Sequence, residues 1–307
     1  MKSLKIYNFQ IVSCILFLFT CGCSFTKVKV HNSPEHSFGA IADCQYCAKK
    51  GNGVRKYSLS KNKLSNCVEE MNKMDLEYVV HLGDFIDRDF ESFDVVNPIF
   101  NTLTMPKYHV LGNHDFSVKD ELKKDVPNKM GLSEKYYSFI VKGWRYIVLD
   151  GNDVSFHAYP KNSEQWKQVK LYQSEKNIKK PHFSAIGDKQ LSWLKKQLLK
   201  AQHNSEKVIL YCHFPVYPPH NLNLWNAKEV INTIELFPCV KAYINGHNHR
   251  GNYKIKNGVH YLTLKGMVDT NKSSYAVIKV NNDSISVTGY GREENRELLI
   301  EKRLTKP

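Results

Sequence analysis

The sequence predicts an α/β fold built from two facing sheets flanked by helices. Three observations carry that reading. Short apolar runs of strand length alternate with helix-periodic stretches through the first half of the chain. β-rich stretches dominate its end. Polar segments follow the ends of the apolar runs, where ligand sites collect in open α/β sheets. In chain order, residues 38–42 form the first buried run. Residues 58–74 carry rough helical periodicity, with Leu64, Cys67, Val68 and Met71 as the apolar positions. Residues 78–82, 107–111 and 145–149 read as strands. Residues 189–201 give the clearest helix: Leu191, Leu194, Leu198 and Ala201 make one stripe, flanked by Trp193 and Leu199. A strand at 207–212, a helix at 227–237 and a strand at 240–244 follow, then β-rich stretches at 260–264, 275–280 and 284–288. Residues 158–181 are polar and longer than a usual connector; they read equally as a site-facing insertion or a surface excursion.

The chain has 307 residues, 42% of them hydrophobic, which suits one large α/β domain or two small ones. Its first residues stand apart. Lys2 and Lys5 precede an apolar run at 11–19 that is too short to span a bilayer. Thr20-Cys21-Gly22-Cys23-Ser24 then resembles a bacterial lipobox, with Cys23 the better lipidation candidate and Cys21 the alternative. Residues 1–23 are therefore expected to be a signal peptide, 24–35 a tether and 36–307 the folded domain. The expected location is outside the cytoplasm, as a lipoprotein held to a membrane through Cys23, periplasmic or on the cell surface. An ordinary cleaved signal peptide is the other reading. Of eight cysteines, the five beyond this region (Cys44, Cys47, Cys67, Cys212 and Cys239) are odd in number and irregularly spaced, which is not a disulfide framework. Cys44 and Cys47 have no second C-x-x-C with which to build a zinc knuckle. The net charge of +14 favours anionic partners. The lysines are spread out, apart from pairs such as Lys195-Lys196, and no basic stripe interleaves with aromatics, so no specific nucleic-acid partner is expected.

Five segments carry the chemistry: Asp43-Cys44-Gln45, Gly83-Asp84-Phe85-Ile86-Asp87, Gly112-Asn113-His114-Asp115, His213, and Gly246-His247-Asn248-His249. Taken singly each has an ordinary explanation: a common Gly-Asp pair, a capped turn, a structural histidine pair. Together, each after a predicted strand, they collect carboxylate, imidazole and amide donors of the hard or borderline kind that divalent cations take. His81 and His109 lie inside predicted strands and read as core residues instead.

These segments resemble the calcineurin-like binuclear metallophosphoesterase superfamily. The start Ile41-Ala42-Asp43-Cys44-Gln45-Tyr46, with Gln45 where most of that superfamily has His, makes the chain most similar to the manganese-dependent ADP-ribose/CDP-alcohol diphosphatases. Arg55 with Tyr57 and Ser58, Gln190-Leu191-Ser192-Trp193-Leu194, His213-Phe214-Pro215-Val216-Tyr217-Pro218 and Trp225-Asn226 extend the similarity over about residues 38–292. The resemblance implies a four-layer α/β/β/α metallophosphoesterase sandwich over 36–307 with two divalent ions. Asp84 would bridge them, Asp43, Gln45 and His249 would complete one site, and Asn113, His213 and His247 the other. It implies Mn²⁺ ahead of Mg²⁺, with Fe or Zn²⁺ as further alternatives. His114 would be catalytic, with Asp115 fixing its tautomer, and Asp87 would orient a neighbouring ligand. Tyr46, Arg55, Arg88 and Arg250 are the candidates for phosphate or nucleotide contacts. The implied substrate is a phosphorylated small molecule, a nucleoside diphosphate derivative such as ADP-ribose or a CDP-alcohol, cut at the pyrophosphate. A broader phosphomonoesterase or phosphodiesterase is the second enzyme reading, and a surface-binding lipoprotein without turnover the third. One departure bears on base preference: animal members carry Asn-Gly-Gly before the Gln-Leu-x-Trp-Leu helix, where this chain has residues 183–187.

Overall fold

The computed structural model describes residues 34–179 and 184–301. Cys23, the signal region and most of the tether lie outside the described residues, as does Phe183. Within them the chain forms fourteen strands: β1 (His36–Ile41), β2 (Val79–His81), β3 (Lys107–His109), β4 (Tyr137–Val141), β5 (Trp144–Val148), β6 (Val154–Ser155), β7 (Ser184–Ala185), β8 (Lys207–Tyr211), β9 (Val240–Asn245), β10 (Asn252–Lys256), β11 (Val259–Thr263), β12 (Ser274–Val280), β13 (Ser284–Gly291) and β14 (Arg296–Leu299). The α-helices are α1 (Ser60–Met71), α2 (Phe93–Phe100), α3 (Val126–Lys129), α4 (Glu164–Glu175), α5 (Asp188–His203) and α6 (Ala227–Glu235).

Two six-stranded sheets result, in the orders β14-β13-β12-β1-β2-β3 and β10-β11-β9-β8-β5-β4; β6 and β7 pair separately. Side chains alternate across each strand, so one set faces the other sheet and the next faces helices. Phe38, Ala40, Tyr78, Val80, Trp144, Tyr146, Val148, Ile209, Tyr211, Ala242 and Ile244 meet between the sheets. The phenol pair Tyr78–Tyr211 spans that layer at 2.7 Å. The alternate residues Ile41 and Val79 pack under α1 and α2, beside Leu64, Val68, Met71 and Phe93. Ile147, Leu210 and Tyr243 pack under α5 and α6, against Leu191, Leu194, Leu198, Val230 and Ile234. The expected α/β/β/α layering is therefore present.

The site follows from strand direction. β1, β2 and β3 run parallel, as do β5, β8, β9 and β11. Their C-terminal ends lead directly into the polar segments. The first three strands deliver Asp43–Gln45, Asp84–Asp87 and Asn113–Asp115. β8 and β9 deliver His213 and His247–His249.

Three helices were not legible in the sequence, one of them the four-residue α3. α2 contains Pro98, a residue that argues against helix interiors, yet it buries Phe93, Val96 and Phe100. α4 occupies the polar 158–181 stretch and buries one residue, Val169, so its periodicity is faint; Ser163 caps it by accepting the Trp166 amide at 3.2 Å.

His81 and His109 stand opposite each other on β2 and β3, among Phe85 and Phe100. Both nitrogens of His81 and Nδ1 of His109 are buried without hydrogen-bond partners among the described residues. Burial, reinforced by the charge of Lys107, lowers the pKa of His109 to about 3. The folded chain refuses a proton that the unfolded chain accepts below about pH 6.5. Stability is therefore expected to fall by up to about 1.4 kcal/mol per pH unit as pH drops from there toward 3. His109→Asn should flatten that slope in denaturant unfolding measured across this window; an unchanged slope would contradict the assignment.

Candidate metal centre

The carboxylate of Asp84 sits where the two sheets converge. Its Oδ1 accepts the His114 backbone N–H at 2.7 Å and its Oδ2 accepts the Gln45 amide at 2.9 Å, both within the first sheet's loops. From the second sheet, His213 Nε2 comes within 3.2 Å of Oδ2. His213 Nδ1 donates to the Leu82 carbonyl at 2.8 Å, which leaves Nε2 turned to the carboxylate. His247 Nδ1 lies 3.1 Å from His213 Nε2, and donor atoms of Asp84, His213 and His247 all fall within 4.8 Å of one another. Burial alone would raise the Asp84 pKa; the facing imidazoles of His213 and His114 outweigh it and hold the group well below the usual carboxylate range.

A second group adjoins the first. His249 Nε2 is 3.3 Å from Asp43 Oδ1 and 3.3 Å from the Gln45 amide nitrogen, and the Asp43 carboxylate accepts the His247 backbone N–H at 3.1 Å. Gln45 touches both groups.

The donor set fits a divalent cation. Gln45 Oε1 and Asn113 Oδ1 are buried with no hydrogen-bond partner among the described residues. Two such amide oxygens beside carboxylates and imidazoles are costly unless a cation takes them. The Gln45 amide can present either its NH₂ to Asp84 or, turned over, its oxygen to a cation. Cys44 sits between Asp43 and Gln45 but packs into the core under α1, where burial pushes its thiol up to about 12, so no thiolate is offered.

The backbone is bent to build this. Asp43, Gln45, Asp84 and His247 all hold left-handed conformations, with φ of 52°, 44°, 57° and 67°. Such residues cost on the order of 1–3 kcal/mol each and cluster at functional sites. Glycines make room: a Cβ on Gly83 would stand 2.6 Å from His213 Nδ1, and one on Gly246 2.7 Å from Asp43 Oδ2.

Two sequence expectations are corrected. Asp115 does not orient His114. Its two oxygens are occupied by four backbone N–H groups, of Gly112 at 2.8 Å, Asp84 at 3.1 Å, Phe85 at 2.7 Å and Ile86 at 3.2 Å, so it ties the loop after β3 to the loop after β2. The residue on His114 is Asp87, whose Oδ1 lies 2.9 Å from Nδ1. Secondly, of the four candidate substrate contacts, Arg55 and Arg250 line the cleft over the centre, a space of about 260 Å³ shared with Val54 and Leu222; Tyr46 and Arg88 do not. Tyr46 packs beside the core under α1, and Arg88 lies over the Tyr57 ring at 5.3 Å. Local sequence cannot show this, because facing is set by the loops' tertiary path.

Sequence reasoning also passed over Asp269, whose Oδ1 is 3.0 Å from His249 Nδ1, the partner that fixes an imidazole's other nitrogen. A signal was available: Asp269 follows β11 just as the other segments follow their strands. Gln190 and Asn226, singled out by the resemblance, serve the scaffold. The Gln190 amide pairs with the Asp150 backbone at 2.9 and 3.0 Å, and the Asn226 amide pairs with both backbone groups of Ile186.

Residues 36–251 match the calcineurin-like phosphoesterase family, and the chain belongs to it as a metal-dependent hydrolase. Among its relatives, the manganese-dependent ADP-ribose/CDP-alcohol diphosphatase of Bos taurus is 28% identical over 318 residues, spanning 87% of this chain and 94% of the relative. The protein of the same name from Arabidopsis thaliana is 29% identical over 304 residues, spanning 86% and 97%. In fold the chain resembles a dimetal phosphatase from Danio rerio, with a TM-score of 0.78 and 23% identity over 87% of this chain and 99% of that one. It is also similar to a purple acid phosphatase from yellow lupin, with a TM-score of 0.56 and 11% identity over 89% and 55%.

Asp115→Asn tests the corrected role. Whichever way the amide turns, two buried N–H donors face an NH₂ group, a loss of at least about 2 kcal/mol. Denaturant unfolding should report that loss; unchanged stability with lost turnover would instead restore the catalytic assignment.

Proposed function

We propose that this protein hydrolyses the pyrophosphate bond of nucleoside-diphosphate-linked small molecules, with ADP-ribose and CDP-alcohols as the substrate class, using two divalent ions, Mn²⁺ ahead of the others. The observation that carries the metal part is the pair of buried, unpartnered amide oxygens on Gln45, whose NH₂ reaches Asp84, and on Asn113, next in the chain to the His114 that also bonds Asp84. Neutral oxygens with imidazole and carboxylate suit Mn²⁺ or Mg²⁺ better than a thiolate-preferring ion. The substrate class is supported by the names of the relatives and by Arg55 and Arg250 on the cleft, where cations favour an anion. Export and lipid anchoring at Cys23 belong to the same proposal and rest on the sequence of residues 1–24.

Bound divalent ions would supply Lewis acidity toward a phosphoryl oxygen and acidify water. The chain's own residues do the rest. Arg55 stays cationic: burial opposes this, but the hydrogen bond to Tyr57 and the charges of Asp84 and Asp87 prevail, so it can hold a phosphate oxygen. His114 lines the cleft with Nδ1 held by Asp87, which makes Nε2 the nitrogen available to a leaving oxygen. Burial would lower its pKa, yet Asp84 and Asp87 raise it, a direction that suits a proton donor. A cleft of about 260 Å³ is small for a whole dinucleotide-sized ligand, and this favours as the second reading a broader phosphomonoesterase or phosphodiesterase.

Product analysis separates them. Release of nucleoside monophosphate from ADP-ribose and CDP-choline with Mn²⁺, abolished by chelator and by Asp84→Ala, is the expected result. Rapid turnover of p-nitrophenyl phosphate or a bis-ester with neither diphosphate cleaved would move the protein to the second reading. His114→Ala should keep its metal while turnover falls by about 10²–10⁴. Full activity in that variant would remove the proton-donor role.

A further inference from the structure

α1 buries a lysine. Lys63 is 6% exposed and shares its helix face with Ser60, Leu64, Cys67 and Met71, where periodicity alone would place an apolar residue. Lysine is rarely buried without a carboxylate to pair with. Here the hydrogen bonds of the ammonium go to three backbone carbonyls: Met267 at 2.5 Å, Thr270 at 3.0 Å and, at the limit of contact, Asp269 at 3.5 Å. Burial, with the charge of Arg292 beside it, brings its pKa down to about 8.

The three carbonyls belong to the loop that carries Asp269, the carboxylate on His249 Nδ1. Two amides of that loop are held by the strand end that bears Asp43, with Met267 N–H on Ala42 O at 2.8 Å and Val268 N–H on Asp43 O at 2.9 Å. Arg292 donates to the Gly266 carbonyl. Thr270, the last of the loop, takes a left-handed φ of 56°, so the backbone there does not settle into its shape unaided. Lys63 thus closes the side of the loop that faces α1.

We propose that Lys63 is a positioning residue for the metal centre: by gathering the carbonyls of Met267, Asp269 and Thr270 it sets Asp269, and through Asp269 the ring of His249, for a cation shared with Asp43 and Gln45. This rests on the metal-centre reading above. An apolar replacement relieves the buried charge but leaves three carbonyls unmet on the side of the loop that faces α1, while its other side stays held by Ala42, Asp43, Val54 and Lys56. Outer partners of metal-binding imidazoles are worth about 10–100-fold in affinity.

The test is calorimetric titration of the full chain, stripped with chelator, with Mn²⁺ alone. Wild type, Lys63→Met, Asp269→Asn and the double variant are compared, with thermal unfolding alongside. Lys63→Met is expected to weaken Mn²⁺ binding about tenfold, and the double variant to bind no more weakly than Asp269→Asn, because both changes act on one pathway. Lys63→Arg, which keeps a cationic donor, should regain most of the affinity. If Lys63→Met fails to fold, Lys63→Gln carries the same comparison with a neutral donor. Wild-type Mn²⁺ affinity in Lys63→Met, or in Lys63→Gln where it stands in, overturns the proposal whatever the unfolding temperature, as does a loss that adds to that of Asp269→Asn. Failure of the wild-type chain to bind Mn²⁺ is a different result: it removes the metal-centre reading, and the role of Lys63 with it.

Discussion

Burying the Asp84 carboxylate costs several kcal/mol unless its oxygens are met, and this requirement ties the two halves of the sandwich together. The first sheet supplies the Gln45 amide and the His114 backbone N–H; the second supplies His213. Neither sheet alone satisfies the group. The centre therefore forms where parallel strands from both sheets end side by side, and the sheet–sheet core of Phe38, Tyr78, Tyr146 and Tyr211 sets that spacing.

Around this point three further carboxylates support the site from outside it. Asp115 gathers four N–H groups, so the loops after β2 and β3 move as one piece. Asp269 and Asp87 each engage one imidazole nitrogen, leaving the other for chemistry. Left-handed backbone at Asp43, Gln45, Asp84 and His247 would relax in a free loop. It persists because the strand ends and these carboxylates over-determine it. The same rigidity gives function its geometry: with the backbone fixed before a cation or phosphate arrives, little beyond a turn of the Gln45 amide is left to reorganise.

Legibility differed by the kind of signal. α5 was read nearly to its ends because Leu191, Leu194, Leu198 and Ala201 repeat at helical spacing. α2, α3 and α4 were missed: Pro98 contradicts a helix locally in α2, the four residues of α3 are too few to show a period, and the single buried residue of α4 leaves almost no stripe. Among site residues, those with a motif could be named in advance, and the structure brings their segments together around Asp84. Asp269 had no motif. Tyr46 had one and Arg88 adjoins one, but both point into neighbouring aromatic and core contacts rather than the cleft. Asp87 takes the place on His114 that its sequence neighbour Asp115 was expected to hold, and Asp115 turns to backbone instead, since which carboxylate reaches a ring depends on how two loops cross.

By itself the sequence determined the family-level chemistry and the layers. Alternation and helical spacing are one-dimensional records of which side chains leave water, and metal-binding segments are short enough to be read whole. Tertiary structure decided the second tier: Asp87 on His114, Asp269 on His249, Lys63 under the 267–270 loop, and which arginines face the cleft. These pairings join residues 20 to more than 200 positions apart, and their distances follow from how strands pair and loops fold back. No local pattern of residue types encodes such distances.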